Sequence, residues 1–309
     1  MVRRVLHINI CALLWLLTSC NIDEVYEGTE KGPSSFATTV IEYTPAPGQF
    51  INNTVTSGFN GSELTPQAAC DYAQRRLEQR QFVSLGGFGG YIIVGFDHAV
   101  VNSEGGYDLA IAGNPFEGSS EPGIVWVMQD TNGNGVADDV WYELAGSEQA
   151  SDGTLHNYSV TYHKPTAPKQ PIRWEDSLGD SGEIAHLAAH PHDSYYPAWI
   201  STESYTLRGT RLAPQTHFNG TIWIQEGFAW GYVDNENTTD LWRGKGSVAG
   251  LVFNRFRLSD AVTADGKPAN LPYINFVKVQ SALNSQSGGL GENSTEVFAV
   301  CDMLYLQLK

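Results

Sequence analysis

The chain has 309 residues, 41% of them apolar and 11% aromatic, which is enough to pack a sizeable core, and its formal charge is −16. That charge excludes nucleic acid and anionic membrane surfaces as partners reached by charge, because both require a basic footprint that is missing here. An acidic surface suits solubility and cation binding instead.

Arg3 and Arg4 precede a mostly apolar stretch from Val5 to Leu17, broken by His7 and Asn9. These are the charged and greasy regions of a signal peptide. The stretch falls short of the ~20 apolar residues that a spanning helix needs. Leu17-Thr18-Ser19-Cys20 resembles the bacterial lipobox, which implies a leader over 1–19 and diacylglycerol on the Cys20 thiol. The run Asn21-Ile22-Asp23-Glu24, with Glu27 close by, resembles the tag that sends Bacteroidetes lipoproteins to the outer face of the outer membrane. The expectation is an exported chain, lipid-anchored there and facing the exterior. Residues 20–48, rich in Gly, Pro, Ser and Thr from Tyr26 onward, read as a flexible tether. Residues 49–309 then form a single domain of roughly 260 residues. Cys11 leaves with the leader, and Cys70 and Cys301 remain. An oxidising compartment would let these two pair, and two separate buried thiols fit equally well.

The spacing predicts one helix near the start of the domain. Thr65 can cap it, Pro66 suits its first turn, and Gln67 to Gln79 holds no glycine or β-branched residue. Ala69, Tyr72, Ala73, Arg76 and Leu77 mark its buried side. Beyond it, short β-branched or aromatic runs recur at 83–85, 91–96, 107–112, 123–129, 140–144, 158–163, 204–207, 221–224, 249–258, 274–281 and 297–308, punctuated by Gly, Asn, Asp and Pro. This pattern predicts an all-β fold, an antiparallel β-sandwich of jelly-roll type with one N-terminal helix and long loops. The polar stretch near 164–200 has no sustained period and reads as a long loop excursion.

The sharpest local motif runs from Asp130 to Asp139. Asp130, Asn132, Asn134, the Val136 carbonyl, Asp138 and Asp139 surround Gly135 at the sixth place, in the manner of a calcium loop. Trp141 stands where an EF-hand supplies its bidentate glutamate. The expectation is therefore structural Ca²⁺ on a loop joining two strands, with Glu143 or a distant residue closing the shell, against an Asx-rich turn without metal. The second acidic loop, Asp234 to Asp240, lacks the glycine and reads as a solvated turn. His186, His190 and His192 are interrupted by Pro191 and read as surface histidines rather than a metal site.

Trp174, Tyr195, Tyr196, Trp199, Trp230 and Tyr232 lie in or beside polar, loop-like sequence and are the candidate ligand-binding face, since flat rings near water offer stacking surfaces. A glycoside hydrolase would need two carboxylates facing each other across a cleft. Glu121, Glu143, Glu226 and Asp234 can be nominated, although nothing local distinguishes them from solvated residues. Leu85-Gly86-Gly87-Phe88-Gly89-Gly90 lacks the lysine and following helix of a phosphate loop and reads as a tight β connection.

Gly86 to Ile92, Gly95-Phe96-Asp97-His98, Ser120-Glu121-Pro122-Gly123, Trp141 to Ser147, Ser194-Tyr195-Tyr196-Pro197 and Gly291 to Glu296 together resemble a family of Bacteroidetes cell-surface lipoproteins. The resemblance covers most of the mature chain. It implies a jelly-roll surface domain associated with outer-membrane nutrient uptake, including corrinoid (vitamin B12) uptake. The function expected is a non-catalytic surface module that captures a corrinoid or a glycan for an outer-membrane transporter. The alternatives are an adhesion or scaffold protein that binds another protein, and a glycoside hydrolase.

Overall fold

The computed structural model describes residues 32–307. The leader, Cys20 and the acidic run behind it lie outside the described residues. Every pairing between strands is antiparallel, and two sheets face each other across the main core, as the strand pattern predicts. The larger sheet runs in the order Thr39–Thr44, Tyr91–Val101, Tyr273–Ser281, Gly123–Met128, Trp141–Leu144, Ala261–Val262. The facing sheet runs Leu241–Arg243, Val252–Phe256, Leu109–Gly113, Ala299–Asp302. Val94, Val125, Val127, Val277 and Val279 from the first sheet meet Leu109, Ile111, Phe256 and Val300 from the second in one buried cluster. Burying aliphatic side chains of this size contributes about 1.5–3 kcal/mol each.

The helix spans Pro66–Glu78, and Thr65 accepts a hydrogen bond from the Ala68 N–H at 3.2 Å as its N-cap. Its Ala69, Cys70, Tyr72, Ala73 and Leu77 are buried, while Arg76 instead lies partly exposed over the Phe82 ring. Cys70 and Cys301 are separate, buried, free thiols.

Three expectations about chain segments change. The tether ends earlier than residue 48, because Thr39–Thr44 forms an edge strand paired with Tyr91–Val101. Its Val40 and Tyr43 enter the core and Ala46 is fully buried. The excursion near 164–200 holds a β-hairpin, Ile172–Asp176 with Ser181–Ile184, which completes a four-stranded sheet with Leu155–His163 and Ser204–Arg211. Asp176 Oδ1 builds its turn by accepting from the Leu178 and Asp180 N–H groups at 2.9 Å. Finally, the C-terminal run ends as strand Ala299–Asp302 followed by a short helix, Met303–Gln307. Among the described residues no helix is long and apolar enough to cross a membrane.

Candidate functional site

Two places in the fold carry chemistry: a knot of buried carboxylates beside the larger sheet, and a polar groove on the smaller one.

The knot is assembled by main-chain bonds between three distant segments. Glu121 N–H donates to the Asp234 carbonyl at 2.9 Å, and Gly123 exchanges two bonds with Val233 at 2.9 and 3.0 Å. The Thr295 hydroxyl donates to the Glu121 carbonyl at 2.8 Å, and the Thr295 carbonyl accepts from Leu85 N–H at 3.0 Å. Zipping these segments brings Glu121, Asp234 and Glu296 together, each with a carboxylate oxygen within 4.8 Å of the others. Among the described residues no other group of His, Cys, Asp or Glu converges this closely.

Each carboxylate is partly held. Asp234 Oδ1 accepts from Asn114 N–H and Oδ2 from Glu296 N–H, both at 2.9 Å, and Glu121 Oε1 accepts from Ser294 N–H at 3.2 Å. Glu296 Oε1 is sealed from solvent and no donor reaches it among the described residues. The Glu121 carboxyl is a neighbour that can share a hydrogen bond with Glu296 only when one of the two is protonated. Asp234 is 2% and Glu296 3% exposed, whereas Glu121 keeps partial exposure. Asp234 adopts φ +57°, a left-handed conformation that costs an L-residue energy. Gly113 passes so close that a Cβ there would lie 2.7 Å from Asp234 Oδ1.

Burial raises the pKa of all three acids, and the like charges of neighbouring carboxylates add to it in each, Glu292 doing so for Glu121. None of them joins an ion pair among the described residues. A fourth acid, Glu292, is 2% exposed. Its Oε1 accepts from Gln49 N–H at 2.7 Å, its Oε2 is buried and unpartnered, and burial lifts its pKa to about 8.

The nominated Glu121 and Asp234 thus meet, while Glu143 turns away to accept from the buried Thr210 hydroxyl and Glu226 is exposed. The loop from Asp234 to Asp240 is not the solvated turn its composition suggests. Asp240 is 2% exposed and accepts from Gly231 N–H and from the Asn237 and Asn254 amides at 2.6–2.9 Å.

The motif at Asp130 to Asp139 joins strands Gly123–Met128 and Trp141–Leu144, which pair with each other, and it is largely exposed. Asp130 accepts from the N–H groups of Gly133 and Gly135 at 2.8 Å, Asn132 from Asn134 N–H at 2.9 Å, and Asn134 from Val136 N–H at 2.7 Å. Asp138 accepts from the Asn134 amide, and Asp139 from Thr131 N–H. Glu143 does not approach to close a shell. His186 Nε2 and His192 Nε2 face the carbonyls of His192 and Ile51 at 2.9 and 2.8 Å, which commits them to the backbone.

The groove lies on the outer face of the four-stranded sheet. Along Ile172–Asp176 the side chains alternate: Ile172 and Trp174 pack inward, while Arg173 and Glu175 are exposed. With His163, Lys164, Thr166, Gln170 and Glu183 these two line a concavity of about 570 Å³. A second hollow of about 410 Å³ shares His163, Arg173, Glu175 and Glu183 with it and reaches Trp174.

The six nominated aromatics do not form one exposed face. Tyr195, Tyr196, Trp199 and Tyr232 are 1%, 2%, 6% and 2% exposed, because they fill the cores between sheets. Tyr195 and Tyr196 pack with Phe88, Tyr162 and Ile184. Trp230 borders a small crevice with Tyr107, Arg255 and Arg257, and Trp174, packed inward, reaches the second hollow rather than the groove. Sequence reasoning missed the groove's charged lining because the hairpin that presents it reads as a loop. Period-two alternation over Ile172 to Asp176 is the signal that could have found it.

Neither a scan against models of known protein families nor a search of curated proteins returns a match to this chain.

Proposed function

We propose that this chain is a non-catalytic, lipid-anchored surface module that captures a small polar nutrient, a corrinoid or a glycan, for an outer-membrane transporter, and that the groove on the four-stranded sheet seats the ligand. One observation carries the reading: the groove of about 570 Å³ falls within the range of small-molecule sites, and two of its cations are unspent. Lys164 and Arg173 enter no ion pair among the described residues. On a chain of net charge −16, cations gathered in one concavity suit a ligand presenting amide carbonyls, hydroxyls or a phosphate. Glu175 and Glu183 supply acceptors, so the lining favours a ligand rich in both donors and acceptors over a purely anionic one. Trp174, which reaches the adjoining hollow, offers an aromatic edge beside the groove.

The glycosidase reading draws less support. Its two carboxylates stand ~5–9.5 Å apart across an open cleft, whereas the carboxylates this fold gathers are crowded within 4.8 Å and buried. Titration of the full chain against cobalamin and a glycan panel, followed by Trp fluorescence and calorimetry, tests the proposal. Saturable binding weakened at least tenfold by Arg173→Ala is expected. No binding by either class would end it.

A further inference from the structure

We propose that Glu121, Asp234 and Glu296 form a binding site for one hard divalent cation, calcium in preference to magnesium or a transition metal. The site is independent of the groove and distinct from the loop at Asp130 to Asp139.

Three carboxylates converge with no lysine, arginine or histidine paired to them among the described residues. Burying one unpaired charge already costs several kcal/mol, and crowding three together is costlier still unless a cation or protons neutralise them. Acid crowding alone does not identify a ligand site. The further observation is Glu296 Oε1, which is sealed from solvent and reached by no donor among the described residues, on a residue 3% exposed. A buried oxygen with free lone pairs asks for a partner, and this one differs from the other such atoms, Glu292 Oε2 among them, in belonging to one of the three converging carboxylates. The other two acids are braced by the N–H groups of Asn114, Glu296 and Ser294, which fix their direction and leave further lone pairs free. Three segments far apart in the sequence are locked by main-chain bonds so that these acids meet, so the geometry does not depend on flexible side chains finding each other.

The donors are all oxygen, which selects hard cations over zinc or copper. Calcium takes oxygens at 2.3–2.6 Å, so its opposite ligands stand up to ~5 Å apart, against ~4.2 Å for magnesium. The three oxygens all lie within 4.8 Å of one another and can close on either ion, so water separates the two. Magnesium gives up its hydration shell reluctantly, and a site with three carboxylates, two of them buried, favours the ion that sheds water more readily. Glu121 is the one member of the three that keeps partial exposure, so it marks the side nearest solvent.

The test is metal content and calcium binding of the full chain, measured as purified and after chelator treatment, by elemental analysis and equilibrium dialysis with radioactive calcium. The parent is expected to hold one equivalent of calcium that Glu296→Gln weakens at least tenfold and that Asp130→Ala in the exposed loop leaves in place. Glu296→Gln keeps the side-chain shape and removes one buried charge, so its circular dichroism is expected to match the parent's. Calcium retained by Glu296→Gln at parental affinity, calcium lost in Asp130→Ala alone, or no calcium in the parent at any stage would each overturn the proposal. Magnesium displacing calcium at equal concentration would overturn the preference for the larger ion.

Discussion

The loop at Asp130 to Asp139 and the knot at Glu121, Asp234 and Glu296 are two acidic regions at opposite extremes of the same chemistry. In the loop, oxygens are adjacent in sequence, exposed, and occupied by the loop's own N–H groups. In the knot they come from distant segments, are buried, and leave one oxygen without a donor among the described residues. An Asx-rich stretch can satisfy itself through local turns and water. A buried cluster assembled by the fold has no such recourse, so what it lacks is informative. The motif that looks most like a metal site thus draws its oxygens into local turns, whereas the knot holds a buried oxygen that no donor reaches among the described residues.

Among substitutions compared at one pH, the largest effect that would break or sharpen this contrast is Asp234→Ala. It leaves the Glu296 N–H buried without an acceptor, frees the partly buried Asn114 N–H and opens a void beside Gly113, and a stranded buried donor costs about 1–3 kcal/mol before the void is added. A loss of about 3 kcal/mol in urea unfolding is expected. If the variant matches the parent, those bonds are not holding the knot.

Next in size is the response to calcium. Saturation at ~100 times the dissociation constant stabilises a folded state by about 2.7 kcal/mol, equivalent to a rise of about 5 °C in the unfolding temperature for a domain of this size. Calorimetric scans with calcium and with chelator check it. Glu296→Gln is expected to abolish the difference, and the same difference persisting in that variant would place the ion elsewhere.

The sheets were legible in the sequence to a large degree, and the site was not. Runs such as Tyr91 to Phe96 and Ile274 to Ser281 announce themselves because their β-branched residues are buried on a sheet whatever else surrounds them. Thr65 and Pro66 mark the helix start for reasons contained within one turn. Thr39–Thr44 is hidden because Thr, Pro and Gly around it read as linker, and only its partner strand makes it an edge. Tyr195 and Tyr196 sit among polar neighbours in sequence but face Phe88 and Tyr162 in space, so local polarity misplaces them on the surface. Glu121 and Glu296 lie in Ser120 to Gly123 and Gly291 to Glu296, yet nothing local shows that they meet. That contact belongs to the main-chain zipper between Glu121, Asp234 and Thr295, a tertiary fact.

A third effect separates buried from exposed acids by pH. Glu292 has its pKa raised by burial to about 8 from 4.5, so between those values the folded chain keeps a proton that the unfolded chain has released. Its contribution is complete below 4.5 and is lost as pH climbs through 8, at a slope of about 1.4 kcal/mol per unit. Asp139 in the loop has the opposite sign, because the Thr131 hydroxyl lowers its pKa, and what it adds is lost as pH falls. Urea titrations of the parent and Glu292→Gln from pH 5 to 8, at fixed calcium, are expected to show the parent losing stability relative to the variant as pH rises. Parallel curves would mean that Glu292 does not hold its proton.

The smallest effect is Asp130→Ala. Asp130 accepts from three N–H groups, those of Gly133, Asn134 and Gly135, one more than Asp234 accepts, so a count of bonds ranks the loop variant as the more damaging. The donors it frees belong to exposed residues, where water replaces the lost acceptor at little cost, and surface substitutions of this kind fall within about 1 kcal/mol. The midpoint of urea unfolding for Asp130→Ala, set beside that for Asp234→Ala, decides whether burial or bond number governs. A loss in the loop equal to or greater than that in the knot would mean that the loop is a closed structural element in its own right and that the contrast between the two regions is one of sequence distance alone.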